Sequence, residues 1–188
     1  LNTMLTLQTA LEEKDMYTAG HTTRVNLYAM EIGRAMRLGQ DDMTVLDRAC
    51  KVHDIGKLVV DVNYIRKPGP LTDEEWLLMK KHPEVGANII KPLTFMKEEL
   101  FLVRHHHERM DGKGYPDGLG GDEINLLTKI ITVADSYDAM TSKRSYKQNL
   151  ELKAAITEMR RCAGSQFDPE VVRVFTEVLE NQAKMSTN

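Results

Sequence analysis

At 188 residues the chain is long enough for one well-buried core and short for two domains. An apolar share of 41% and a charged share of 28% are ordinary for a soluble globular protein, and a net charge of −3 gives no reason to expect a nucleic-acid duplex or a membrane surface as partner. No apolar run is of spanning length and no signal-peptide pattern is present, while Cys50 and Cys162, two cysteines in all, suit a reducing, cytoplasmic setting better than a disulfide scaffold.

The chain opens at Leu1 inside a helical pattern over residues 1–13, without an initiator Met, and reads as a piece of a longer regulatory protein. After the break at residues 15–21 a second helix is expected from about Thr22 to Leu38, striped by Val25, Ala29, Ile32 and Met36 and closed by Gly39. His21 stands at its start and, taken alone, reads as an exposed or capping histidine. A third helix from about Asp41 leads into His53-Asp54, with Gly56 as its expected stop. An imidazole and a carboxylate at a helix end can share a metal, and the second oxygen of Asp54 could reach another. Cys50, one turn earlier, could be proposed as a ligand but reads better as a small buried apolar residue. Lys57 is either a solvated lysine or a fixed positive charge beside that carboxylate.

Lys67-Pro68-Gly69-Pro70 is a turn-rich connector, and Thr72-Asp73-Glu74-Glu75 is a capping box opening a helix through Trp76 and Met79. Because the residue before proline is pushed out of the α region, His82-Pro83 is expected to end that helix. Another helix ends over Ile89–Pro92, and the helix over residues 96–106 delivers His105-His106-His107. Successive helical residues point about 100° apart, so all three rings are not expected to face one ion. Residues 110–121 form the one long glycine-rich loop, which reads as a surface loop or, following a histidine cluster, as the lining of a pocket. Gly120-Gly121-Asp122-Glu123-Ile124 mimics a diguanylate cyclase signature, but its helical flanks exclude the α/β domain such a signature needs.

Leu126, Leu127, Ile130, Ile131 and Ala134 mark the most apolar helix, with Asp135 and Asp138 on its continuing stripe. A carboxylate buried there unpaired would cost several kcal/mol, about 2–7 for even a neutral polar group, so Asp135 is a strong candidate ligand. The basic turn at residues 141–147 reads as a solvated charge run, and two closing helices over 150–161 and 169–182 carry no catalytic signal, the second with Asp168 as N-cap and Pro169 at its first position. Residues 184–188 are expected to fray.

His21, His53, Asp54, His82, His106, His107 and Asp135 therefore come from helix ends or faces that an all-α bundle can converge. The set is nitrogen and oxygen only, suited to iron, manganese, nickel or zinc, and it is the right inventory for two metals about 3.5–4 Å apart.

In ordered series the chain resembles the HD-GYP family, the bacterial phosphodiesterases of cyclic di-GMP. The likeness runs through Asp15-x-Tyr17-Thr18-x-Gly20-His21, His53-Asp54-Ile55-Gly56-Lys57, Lys67-Pro68-Gly69-x-Leu71-Thr72 and His82-Pro83-x-x-Gly86. It continues through His106-His107-Glu108-Arg109-x-Asp111-Gly112-x-Gly114-Tyr115-Pro116, Ala134-Asp135-x-Tyr137-Asp138-Ala139-Met140-Thr141-Ser142 and Arg144-x-Tyr146. The resemblance implies one domain over residues 1–183, an HD-type helical bundle with extra C-terminal helices and a glycine-rich loop. It implies that His21, His53, Asp54 and Asp135 hold one divalent metal and His82, His106 and His107 a second, with Asp54 bridging, iron or manganese being favoured over nickel or zinc. Lys57 would help hold the reacting phosphate, and Tyr115, Arg144 and Lys147 would grip the dinucleotide. His105 lies outside the pattern.

The implied reaction is hydrolysis of cyclic di-GMP to linear pGpG, and slowly on to GMP, by a hydroxide bridging the metals. The alternatives are a non-catalytic cyclic di-GMP sensor or docking module and an HD phosphohydrolase acting on another nucleotide. A diguanylate cyclase or other regulatory protein and a second copy of the chain are candidate partners. Some members carry a Glu that helps hold a third metal where this chain has Tyr17, whose neutral phenol is a poor ligand, so two metals are expected.

Overall fold

The computed structural model describes residue 6 and residues 20–59, 69, 71–142 and 150–186. The helix expected over 1–13, Tyr17, the connector at 67–70 and the basic turn with Arg144 and Lys147 lie wholly or almost wholly outside the described residues. The described residues form an all-α bundle without a named strand: α1 His21–Ala35, α2 Gln40–Val52, α3 Asp73–Met79, α4 His82–Ile90, α5 Glu99–His105, α6 Leu126–Thr141, α7 Leu152–Cys162 and α8 Pro169–Ser186. Short 3-10 turns at Ile55–Val59, Thr94–Met96 and Gly121–Glu123 join them.

Apolar stripes place α1 against α2, α6 and α8, and α7 against α6 and α8. Val25, Ile32, Leu46, Ile130, Ile131, Met159 and Phe175 are buried in the larger core. Tyr28, Tyr137 and Phe175 meet edge to face or tilted across it. A smaller core of Val52, Ile55, Ile90, Met96 and Val103 lies under α4 and α5. The candidate ligands stand on, or directly after, helices that contribute to these two clusters.

Four expected boundaries need correction. The helix α1 ends at Ala35, and Gly39 does not close it: Arg37 takes the left-handed turn (φ 59°) while Leu38 N–H bonds the Gly33 carbonyl at 3.0 Å. This is the usual glycine-closed helix end made without glycine, and Gly39 becomes the N-cap of α2. Helix α2 stops at Val52, ahead of Gly56, which lies inside the following 3-10 turn. Gly56 is required by close approach, since a Cβ there would lie 1.9 Å from the His82 carbonyl oxygen.

The capping box at Thr72 and Glu75 opens α3, but α3 ends at Met79, and His82 begins α4 with Pro83 in its first turn. A proline there surrenders an N–H that has no helical partner anyway, so it starts a helix where it was expected to end one. At the other end of the chain α8 runs through Ser186, past the end expected at 182 and into the segment expected to fray, with Gln182 donating to Glu31 on α1 at 2.9 Å.

Candidate metal centre

Helix ends supply most of the site. His21 is the first residue of α1, His53 and Asp54 follow α2, His82 is the first residue of α4, and His106 and His107 follow α5. Asp135 alone comes from the middle of a helix, α6. Ends rather than middles bring backbone carbonyls with them, and these orient the rings. The Nδ1–H of His53 donates to Cys50 O at 2.7 Å, that of His82 to Met79 O at 2.8 Å and that of His106 to Val103 O at 2.8 Å. With the proton fixed on Nδ1, each Nε2 carries its lone pair inward, the tautomer a metal needs.

Asp54 stands at the centre of the converging nitrogens. Its Oδ2 lies 3.6 Å from both His21 Nε2 and His53 Nε2, and its Oδ1 lies 3.3 Å from His82 Nε2 and 3.8 Å from His106 Nε2. Two groups of potential ligand atoms result, Asp54 with His82, His106 and His107, and Asp54 with His21 and His53; the carboxylate belongs to both. Asp135 reaches the second group through His21, its Oδ1 being 3.3 Å from His21 Nε2.

The donor chemistry fits cations. His82 Nε2 and His106 Nε2 face each other at 3.3 Å although both Nδ1 atoms already hold the proton, so the two lone pairs have no hydrogen between them. His107 Nε2 is 3.1 Å from the same His82 atom, and the buried Nε2 of His53 has no hydrogen-bond partner. Such a set of inward lone pairs and a carboxylate suits a divalent ion.

The electrostatics agree. Burial pushes the His53 and His106 pKa values down, with the neighbouring imidazoles adding to it for His106, and burial together with His82 takes His107 down to about 3. These rings are neutral at pH 7. Burial raises the Asp54 carboxyl, but Lys57 and His53 outweigh it and hold the group well below the carboxylate range. Asp135 is likewise held down, by His21 against the effect of burial. For His21 burial is outweighed by Asp135, Asp138 and Asp54, which lift it well above its ordinary value. Neutral imidazoles beside ionised carboxylates make a field that favours positive charge.

Around these groups lies a supporting layer whose roles the sequence did not reveal. Asp138 accepts from His21 Nδ1 at 2.7 Å and is itself held by Arg24 Nε at 2.5 Å and Ser142 Oγ at 2.9 Å, which makes it an orienting carboxylate. Its three-residue spacing from Asp135 signals a shared face but not the partner. Thr132 Oγ1 donates to the His106 carbonyl at 2.8 Å. Lys57 is the exception in this layer, since the sequence already offered it as a fixed positive charge beside that carboxylate, and its Nζ lies 2.5 Å from Asp54 Oδ2.

Glu108, buried, accepts from the N–H groups of Asp117 and Gly118 at 2.7 and 3.0 Å and so ties the glycine-rich loop to the end of α5. Gly114 lets the loop pass the same chain end, since a Cβ there would lie 2.4 Å from Glu108 Cα. The loop thereby sets the Tyr115 ring on His107, centroids 4.8 Å apart and planes inclined by 32°. Burial raises the Tyr115 pKa, keeping its phenol neutral. His105 turns away, to Phe101 O and Asp117, as the helical angle requires, and Cys50 is buried in the larger core.

The HD domain family profile matches residues 6–171. A cyclic di-GMP phosphodiesterase of Thermotoga maritima is 39% identical over 171 residues, 89% of this chain and 46% of that protein. A 3'3'-cGAMP-specific phosphodiesterase of Vibrio cholerae is 37% identical over 169 residues, 90% of this chain and 37% of that protein. The chain thus spans less than half the length of either relative. Among solved structures, Bd1817, an HDG"Y"P protein from Bdellovibrio bacteriovorus, superposes with a TM-score of 0.72 at 17% identity, over 89% of this chain and 53% of that one. At that identity the likeness is one of fold.

Proposed function

The chain belongs to the HD domain family, its signature from His53-Asp54 to Tyr115 is that of the HD-GYP branch, and from this premise we propose that it hydrolyses a phosphodiester bond of cyclic di-GMP to give linear pGpG. The observation that carries the reading is Asp54, with one oxygen toward His21 and His53 and the other toward His82 and His106. His21, His53, Asp54 and Asp135 would hold one divalent cation and His82, His106, His107 and Asp54 a second, iron or manganese being the better match to nitrogen and oxygen donors. Such a pair supplies a water acidic enough to ionise at neutral pH and positive charge for the phosphoryl oxygens.

The chain's own residues do the rest. Lys57 brings its ammonium to the carboxylate edge of the site, where it stabilises charge developing on the phosphate. Tyr115 offers a neutral phenol O–H at the rim. Arg144 and Lys147 are assigned to the phosphate that is not cut, Arg144 bidentately. With Tyr17 in place of the carboxylate that some relatives carry, the site takes two ions per chain and cuts pGpG slowly. The two buried thiols fit a reducing cytoplasm, and among the described residues no helix is long and apolar enough to cross a membrane.

The test is turnover by anaerobically manganese- or iron-loaded protein, with products separated over time and metal measured in parallel. The expected result is pGpG accumulation, its loss on chelation and its return when the ion is restored, with two ions per chain. No turnover at full loading would overturn the hydrolase reading, three tightly held ions the metal count, and fast accumulation of GMP the product.

A further inference from the structure

The surface beside the centre carries an aromatic and a cation that the reading above leaves unused. Helix α3 buries none of its residues, and it presents Trp76, the chain's single tryptophan, 44% exposed. The indole meets Tyr115 edge to face, centroids 6.3 Å apart and planes inclined by 76°. Lys80, one turn along the same helix face, places Nζ 5.6 Å from the centroids of both rings. Since Tyr115 lies on His107, and His107 Nε2 is 3.1 Å from His82 Nε2, the rings run from the surface to the ligand nitrogens without a break.

Resting on the proposed activity, we infer that Trp76 and Lys80 form a base-binding subsite of the cyclic dinucleotide, Trp76 stacking one purine and Lys80 selecting guanine over adenine. A wide, rigid, half-exposed ring at the mouth of a phosphoryl-transfer site offers a π-face to any base. The ammonium above it discriminates, because guanine presents O6 and N7 as two acceptors on one edge whereas adenine presents N7 beside an N6 donor that a lysine repels. A general apolar docking face fits less well. Leu77 is 62% exposed but one residue along the helix, about 100° from Trp76, so it does not extend the Trp76–Lys80 face.

The single tryptophan makes the test direct. In manganese-loaded protein, rapid mixing with cyclic di-GMP should quench tryptophan emission before pGpG appears. Trp76→Ala should raise KM about tenfold, a change within the range that base–aromatic stacking supports, with metal content and melting temperature unchanged, and Trp76→Phe should recover most of the loss. Lys80→Ala should narrow the ratio of kcat/KM for cyclic di-GMP over cyclic di-AMP, and Leu77→Ser should leave KM unaltered. Turnover without quenching, with KM of the Trp76→Ala protein within twofold of wild type, would overturn the subsite while leaving the hydrolase intact. Quenching without turnover would support the subsite and sink the hydrolase. A Trp76→Ala protein that lost a dimer in light scattering would make the ring an interface between copies and overturn the inference.

Discussion

Asp54 is the residue on which the two halves of the site depend, because among the described residues it alone belongs to both groups of potential ligand atoms. Replacing it by Ala removes a buried carboxylate and leaves His82 and His106 facing each other with no anion between the two sets. The expected outcome is loss of turnover and a fall in the content of both ions, with far-ultraviolet circular dichroism unchanged, since neither apolar core includes this residue. Turnover within tenfold of wild type would sink the dinuclear assignment. Residue types of this kind were legible in the sequence as an ordered series of histidines and aspartates, although His21 taken alone reads as an exposed or capping residue. What was illegible was the partner. Asp138 sits on the same stripe as Asp135, and only the fold reveals that it orients His21 with Arg24 behind it. Trp76 was legible only as a residue of the helix after the capping box, because exposure is not written in a helix pattern.

At the scale of elements, the sequence carried the existence and type of most helices but misplaced their ends. Apolar periodicity is redundant over several turns, whereas an end depends on one residue and its surroundings. Arg37 adopting the left-handed turn and Pro83 opening α4 both moved an end by a few residues. Gly56 is the instructive case, for a glycine two residues past a helix resembles a cap and is instead the contact through which the Ile55–Val59 turn meets the start of α4. Gly56→Ala sets a methyl group 1.9 Å from the His82 carbonyl oxygen, an atom that cannot rotate aside. Overpacking against backbone costs about 3 kcal/mol here, the upper end of the usual range, or about 6–12 °C in melting temperature for a chain of this size. Because the displaced atom belongs to His82, calorimetry should show that fall together with loss of ions from the His82, His106 and His107 group. An alanine variant with normal melting and normal metal content would show that α4 can shift freely, against the close packing described.

Across the whole molecule the site is a junction. His21 and Asp135 stand on helices of the larger core, His82, His106 and His107 belong to the α4–α5 side over the smaller core, and His53-Asp54 joins them at the end of α2. The convergence was legible as an inventory of ligands, but the division of the apolar residues into two clusters was not, since both are made of the same valines, isoleucines and leucines. Ligands drawn from both sides imply that a bound cation links the cores and that its binding free energy adds to the stability of the bundle. Free ion at about 1,000 times its dissociation constant contributes about 4 kcal/mol per site. At about 2–4 °C per kcal/mol this is a rise of about 8–16 °C in melting temperature for each site filled. Differential scanning calorimetry of one protein preparation, first chelated and then titrated with manganese, should show the rise in a single cooperative transition. The Asp54→Ala protein should show little of it. Two separate transitions in the chelated protein that do not merge on adding manganese would mean that the ions belong to one side only, and the junction would have to be given up.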